Sequence, residues 1–199
     1  MKKTFSLIGL LFIIFSCQKE VVSPNVIPQN PVKTVIQFTK YNILQGQQYC
    51  DSNKFVQTSY SELKFIAKFD SSAIYKTIDP NNQYDINKLY GFSDNNAQHH
   101  LFSARFGWRW SDNALRLFGY VYNDGIRDSK ELGVVAIGAE NNCSIKVNAK
   151  SYVFSLNGKI DSLQRTSPTI IATGYKLYPY FGGDELAPHN VSIWIKENN

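Results

Sequence analysis

The side chains best suited to anion chemistry lie between residues 102 and 122, in the segment FSARFGWRWSDNALRLFGYVY. Phe102–Trp110 and Leu115–Tyr122 flank Asp112-Asn113, a pair that favours a type I′ hairpin turn because both residues tolerate positive φ. A two-residue loop pairs Trp110 with Leu115, Trp108 with Leu117, Phe106 with Gly119 and Ala104 with Val121. Those pairs are apolar or glycine, so they mark the core face, and the tryptophans belong inside. The opposite face then pairs Arg109 with Arg116, Gly107 with Phe118, Arg105 with Tyr120 and Ser103 with Tyr122. Like charges directly opposite each other destabilise a ladder, so something must offset that cost. Arginine forks hold carboxylates or sulfates bidentately, and tyrosine rings stack on the apolar faces of sugars. The expected ligand is an acidic or neutral glycan. Gly107 would leave a gap for its approach, and Tyr178 and Tyr180 would extend the surface. Carboxylates from a neighbouring strand, capping the arginines, are the purely structural alternative.

Other chemistry is sparse. Asp79–Asn87 and Asp94-Asn95-Asn96 are rich in oxygen donors of the kind calcium prefers, but their spacing is not that of an EF-hand, and Asp and Asn are also ordinary turn residues. Structural calcium is the one cofactor this segment suggests. His99 and His100 are adjacent, which on a strand directs them to opposite faces; with His189 they match no zinc spacing. No P-loop, G-x-G-x-x-G or G-x-S-x-G occurs.

The elements that position these groups are short strands. Among 199 residues, 43% are hydrophobic, 14% aromatic and 19% charged, enough apolar surface for a core and too much for wholesale disorder. No heptad persists, which excludes a coiled coil. Leu63, Phe65, Ala67 and Phe69 alternate with Glu62, Lys64 and Lys68, as a half-buried strand requires. Val35–Ile43, Gly133–Ala139, Ser144–Asn148, Ser151–Leu156, Thr169–Thr173 and Val191–Lys196 are further strand candidates, and Asn157-Gly158 is a hairpin signal. Residues 34–199 are expected to form one all-β domain, an antiparallel β-sandwich of jelly-roll or concanavalin-like type.

The N-terminus supplies an address. Lys2-Lys3 precede an eleven-residue apolar run from Phe5 to Phe15, too short for a membrane-spanning helix, which needs ~20 residues, and suited to a signal peptide. The run closes on Ile14-Phe15-Ser16-Cys17, which resembles the lipobox of bacterial lipoproteins. The resemblance implies cleavage after residue 16, a lipidated Cys17 and membrane attachment through the acyl chains alone; an ordinary signal peptide is the alternative. Gln18 in place of Asp favours the outer membrane, and Gln18-Lys19-Glu20 looks like the tag of surface-exposed lipoproteins, with the periplasmic face as the other placement. Residues 17–33, carrying Pro24, Pro28 and Pro31, read as a tether. Cleavage removes Lys2 and Lys3, lowering the net charge from +5 to +3. With no basic run and an envelope address, nucleic acid is not an expected partner. Cys50 and Cys143 remain as an even pair in an oxidising compartment. A bridge would close a loop of about 90 residues and contribute about 4–5 kcal/mol in the chain-entropy model; two free thiols are the alternative.

Phe69–Tyr75, Asp85–Asp94 and Tyr178–His189 (YPYFGGDELAPH) resemble a group of small uncharacterised envelope proteins of Bacteroidota with concanavalin-like or jelly-roll sandwich domains. The resemblance implies fold and address and brings no activity or ligand residues. Non-catalytic binding of a glycan or another envelope partner through Arg105, Arg109, Arg116, Tyr120, Tyr122, Tyr178 and Tyr180 is the leading expectation. The enzymatic alternative is a polysaccharide lyase on an acidic glycan, with Arg105 neutralising a uronate and Tyr120 with His100 or His189 moving the proton. The alginate-lyase motifs R-[ST]-E-L, Q-[IV]-H and Y-F-K-A-G are absent, and Tyr180-Phe181-Gly182-Gly183 matches only the opening of the third. A structural or assembly lipoprotein without a small ligand is the third reading.

Overall fold

The computed structural model describes residues 37–198; the proposed signal peptide, Cys17 and the tether lie outside them. Among the described residues twelve strands follow one another: β1 (Thr39–Ile43), β2 (Gln57–Tyr60), β3 (Glu62–Phe69), β4 (Asn87–Ser93), β5 (Phe102–Ser111), β6 (Ala114–Asn123), β7 (Ile126–Val135), β8 (Glu140–Val147), β9 (Ser151–Leu156), β10 (Lys159–Gln164), β11 (Ala172–Leu177) and β12 (Val191–Glu197). They form two six-stranded antiparallel sheets, ordered β1-β12-β3-β8-β9-β10 and β2-β11-β4-β5-β6-β7. The expected sandwich is therefore present.

Alternation builds the core. In β3 the burial pattern places Leu63, Phe65, Ala67 and Phe69 inside, and in β9 Tyr152, Phe154 and Leu156. The sheets meet through edge-to-face rings, with Phe106 of β5 at 5.5 Å from Phe65 and 5.4 Å from Phe154, a favoured aromatic geometry. Trp108 is fully buried and Trp110 packs against the core, so the tryptophans lie on the face assigned to them.

The β5–β6 register is the one read from the sequence, from Ala104↔Val121 to Trp110↔Leu115. Asp112 and Asn113 both take positive φ, 53° and 55°, as a type I′ turn demands. Asn157-Gly158 closes β9–β10 in the same way. Two strand assignments shift: β7 runs Ile126–Val135 rather than from Gly133 to Ala139, and β11 runs Ala172–Leu177 rather than Thr169–Thr173. The first six residues of β7 are exposed. They form a polar sheet edge, which carries no hydrophobic alternation to read and which discourages edge-to-edge association.

Cys50 and Cys143 are both buried and both free, which corrects the disulfide expectation. Cys50 bridges Ile43 beyond the β1 edge, whereas Cys143 lies on β8, the fourth strand of that sheet. At ~4.8 Å per strand the two are separated by about 19 Å, far beyond the reach of a disulfide.

A buried ionic node holds one end of the sandwich. Asp94 meets Arg165 at 2.9 Å with neither side chain exposed. Tyr152 donates its hydroxyl to the same carboxylate at 2.6 Å, and Arg165 donates to the Thr169 carbonyl at 2.6 Å.

Candidate functional site

The outer face of the second sheet carries the arginines, and the structure divides them. Arg116 is capped by Glu131 at 3.0 Å and Asp112 at 3.4 Å. Arg109 donates from Nε to Ser111 Oγ at 3.0 Å and from Nη1 to the Tyr84 carbonyl at 2.8 Å. Its guanidinium lies 4.8 Å from the Phe118 ring and 5.4 Å from that of Tyr84. The segment that reaches over it contains a 3-10 turn, Pro80–Tyr84. Arg109 and Arg116 therefore leave the candidate site. The gap expected at Gly107 is filled as well, since a Cβ there would overlap the side chain of Ile86.

Arg105 is different. It is 5% exposed and makes no ion pair among the described residues, and its buried Nε has no hydrogen-bond partner. Gly91 faces it across β4–β5, and a Cβ at Gly91 would overlap the Arg105 backbone and Cβ. Its guanidinium stacks on Tyr120 at 5.6 Å, and Lys88 Nζ lies over the same ring at 5.2 Å. Two cations thus share one aromatic ring, and neither makes an ion pair among the described residues. Burial first, then Arg105, pulls the Lys88 amine down to about 8, against a smaller upward effect of Asp85. Burial lowers Arg105 to about 10, still protonated at neutral pH. Removing charges from water costs several kcal/mol each when nothing compensates, so an anion placed against this pair would offset that cost.

The surrounding cleft has a volume of about 470 Å³. Tyr120, Tyr122, Tyr178 and Tyr180, the four tyrosines named from the sequence, line it. Tyr178 doubles as core, at 5.8 Å from Tyr41 and 6.0 Å from Tyr90. Tyr180 is held by a backbone ladder: Lys88 N donates to its carbonyl at 2.8 Å and its own N donates to Lys88 O at 2.9 Å. On its other side Tyr180 bridges Tyr49, and their rings meet edge to face at 4.9 Å. Two loops far apart in sequence thereby extend the second sheet and wall the cleft. Burial raises the Tyr120 hydroxyl to about 12 and moves that of Tyr180 upward, so these phenols are donors at neutral pH.

His99 and His100 also line the cleft. They sit in a turn rather than on a strand, and their rings lie 4.2 Å apart, which corrects the expectation of opposite faces. His99 Nδ1 contacts Tyr175 Oη at 2.9 Å, and burial, with Arg105 and His100, holds it down to about 4, neutral near pH 7. His189 contacts the Ser72 carbonyl at 2.9 Å and is not part of the cleft lining.

The oxygen-rich segment does not converge on a cation. Asp79 caps the 3-10 turn by accepting from Asn81 N at 2.9 Å. Glu185 accepts from Ile78 N and Asp79 N, each at 2.8 Å, and from Asn82, bonds that hold its carboxyl below the usual range. Asp94 is committed to Arg165. Among the described residues no group of three or more His, Cys, Asp or Glu is placed to hold a metal.

Lys88, Lys54, Phe55, Tyr49, Tyr175 and Arg127 line the cleft and were not singled out from the sequence. Tyr49 and Phe55, aromatic residues within the polar run Gln47–Gln57, were the one local signal available. Lys88 and Arg127 carry no signal apart from the strands that place them.

No family model matches the sequence, and no curated protein matches it. Solved structures do resemble it. Alginate lyase AlyC3 superposes with a TM-score of 0.53 at 9% identity, over 81% of this chain and 74% of that one. The laminarinase catalytic domain from Thermotoga maritima gives 0.50 at 11% identity, over 81% and 78%. An alginate lyase from Pseudomonas aeruginosa gives 0.50 at 10% identity, over 80% and 82%. These neighbours are jelly-roll proteins, and the likeness shows the fold. The chain is thus a jelly-roll sandwich with a cationic, tyrosine-lined cleft on one sheet.

Proposed function

We propose that this protein binds an acidic glycan non-catalytically in the Arg105 cleft, and that it does so as a lipoprotein anchored through Cys17 at the outer membrane and exposed at the cell surface. The carrying observation is that Arg105, nearly buried, has no carboxylate partner and shares the Tyr120 ring with the desolvated Lys88. A structural arginine finds its partners within the fold, as Arg116 does in Glu131 and Arg109 in Ser111 and the Tyr84 carbonyl, whereas the Arg105 Nε has none. The fold neighbours named for alginate and laminarin support a glycan as ligand. The address rests on Lys2-Lys3, the apolar run and Ser16-Cys17, and the resemblance to Bacteroidota envelope proteins supports it.

The test is titration of the full chain in detergent against acidic and neutral polysaccharides, with Arg105→Met as control. Methionine removes the charge and keeps apolar bulk, so folding is retained. Binding confined to acidic polymers and lost in Arg105→Met is expected; indifference to the substitution would sink this site. Mass spectrometry of the membrane-extracted protein, reading an acylated Cys17, tests the anchor.

A second reading is lyase action on the same glycan, favoured by His100 lying 5.3 Å from Tyr122 in the cleft that holds Arg105. Elimination creates an unsaturated, ultraviolet-absorbing product. A flat absorbance trace on uronate polymers that bind the protein excludes it.

A further inference from the structure

The cleft's cations and rings are spread over five neighbouring strands. Next to the β2 edge the second sheet runs β11, β4, β5, β6, β7. These strands present in turn Tyr175, Lys88, Arg105, Tyr120 and Arg127, all of which line the same cleft. Tyr175 and Arg127 are four strand intervals apart, about 19 Å at ~4.8 Å each, while Lys88 pairs with Gly107 and so stands one alternation along the strands from Arg105. Beyond Tyr175 the row continues onto the loop before β2, where Phe55 packs on the Tyr175 ring at 5.5 Å. Phe55 is 81% exposed and Tyr49, on the same loop, 64%. Neighbouring exposed aromatics on one wall of a polar cleft are unusual for a surface without a partner. Lys54 stands beside Phe55, and neither Lys54 nor Arg127 forms an ion pair among the described residues. Asp184 is the single acidic side chain among the residues lining the cleft.

We infer that the cleft takes an internal stretch of a polyanionic glycan laid across the strands, with Phe55 and Tyr175 stacking a sugar at one end, Lys88 and Arg105 holding a central acidic group, and Arg127 meeting a second acidic group at the far end. This rests on the glycan-binding reading and deepens it: the ligand carries acidic groups on several sugars and needs several sugars to be held. A single acidic sugar would engage Arg105 and Lys88 only. A neutral chain would leave cations at three points of the row without counter-ions.

The experiment uses the full chain in detergent and size-fractionated oligosaccharides from alginate and from heparin, as carboxylate and sulfate probes. Disaccharide, tetrasaccharide and hexasaccharide are titrated against wild type, Phe55→Ala, Phe55→Tyr, Arg127→Ala and Arg105→Met. Affinity is expected to rise with length in at least one ladder. On the hexasaccharide, Phe55→Ala and Arg127→Ala are each expected to weaken binding about fivefold to tenfold, the scale of one stacking or ionic contact, with no effect on the disaccharide. Phe55→Tyr is expected to behave as wild type, because the ring face is kept. Arg105→Met is expected to weaken all lengths alike. Binding independent of length, or a hexasaccharide indifferent to Phe55→Ala and Arg127→Ala, overturns this inference and leaves the glycan reading standing if Arg105→Met still abolishes binding. Failure of every ladder to bind overturns both.

Discussion

Arg109 and Arg116 stand directly opposite each other across the β5–β6 ladder, and their mutual repulsion is relieved in two different ways. Arg116 is met by carboxylates from Asp112 and Glu131. Arg109 lies between the rings of Phe118 and Tyr84 and donates to a backbone carbonyl. The pair that drew attention to this face as a ligand site is therefore self-sufficient. Of the three arginines on this hairpin face, Arg105, two alternations away along β5, is the one left for a ligand.

Glu131→Gln removes one cap from Arg116. The pair is partly exposed, at 22% and 37% of the side chains, so the loss is screened. Urea denaturation is expected to show a destabilisation of about 0.5–1 kcal/mol, with glycan affinity unchanged. A large loss of affinity would return Arg116 to the site.

Asp94→Asn strips the counter-ion from a fully buried Arg165. Leaving a buried charge unpaired costs about 3–5 kcal/mol, so a large fall in the denaturation midpoint is expected. Adding Arg165→Met to Asp94→Asn removes that charge and is expected to recover part of the loss. A near-neutral single variant would mean that this node is not desolvated.

Lys88 links affinity to pH. Its folded value, pulled down by burial to about 8, lies below the ordinary lysine value of ~10.4. The unfolded chain therefore binds more protons between these two values, and its contribution makes stability rise with pH across that interval. Below about 8 the protonated amine destabilises the free protein and attracts an anion. Affinity for acidic glycan is expected to be flat below about pH 8 and to fall above it. Lys88→Met is expected to raise the melting temperature at pH 7 while weakening binding, and a melting temperature that falls would contradict the desolvation.

Cys50 and Cys143 are expected to resist alkylation in the native protein, since burial pushes the Cys50 thiol up to about 11 and moves Cys143 upward as well. In denaturant without reductant both are expected to alkylate fully, read by peptide mass. Unmodified cysteines under those conditions would restore the disulfide.

The hairpin was legible because a two-residue turn sets register and period-two alternation sets the face. That is why Trp108 falls in the core and Arg105 opposite Tyr120. The loops were not. His99 and His100 were read with strand alternation and lie in a turn, where that rule has no hold. Gly107 suggests open space in the sequence, yet Ile86, in the link that leads into β4, fills it.

The sequence by itself determined the jelly-roll class, the hairpin register and the apolar face of the sheet, because each depends on neighbours within a few residues of one another. Only the tertiary structure decided which arginine is free. Capping depends on β7 supplying Glu131 to Arg116 and on the turn at Tyr84 covering Arg109, contacts set by strand order. The same holds for the cleft, whose walls come from residues 49–55 and 178–184, joined by the bridge between Tyr49 and Tyr180. Long-range backbone pairing of that kind leaves no period in the chain to read.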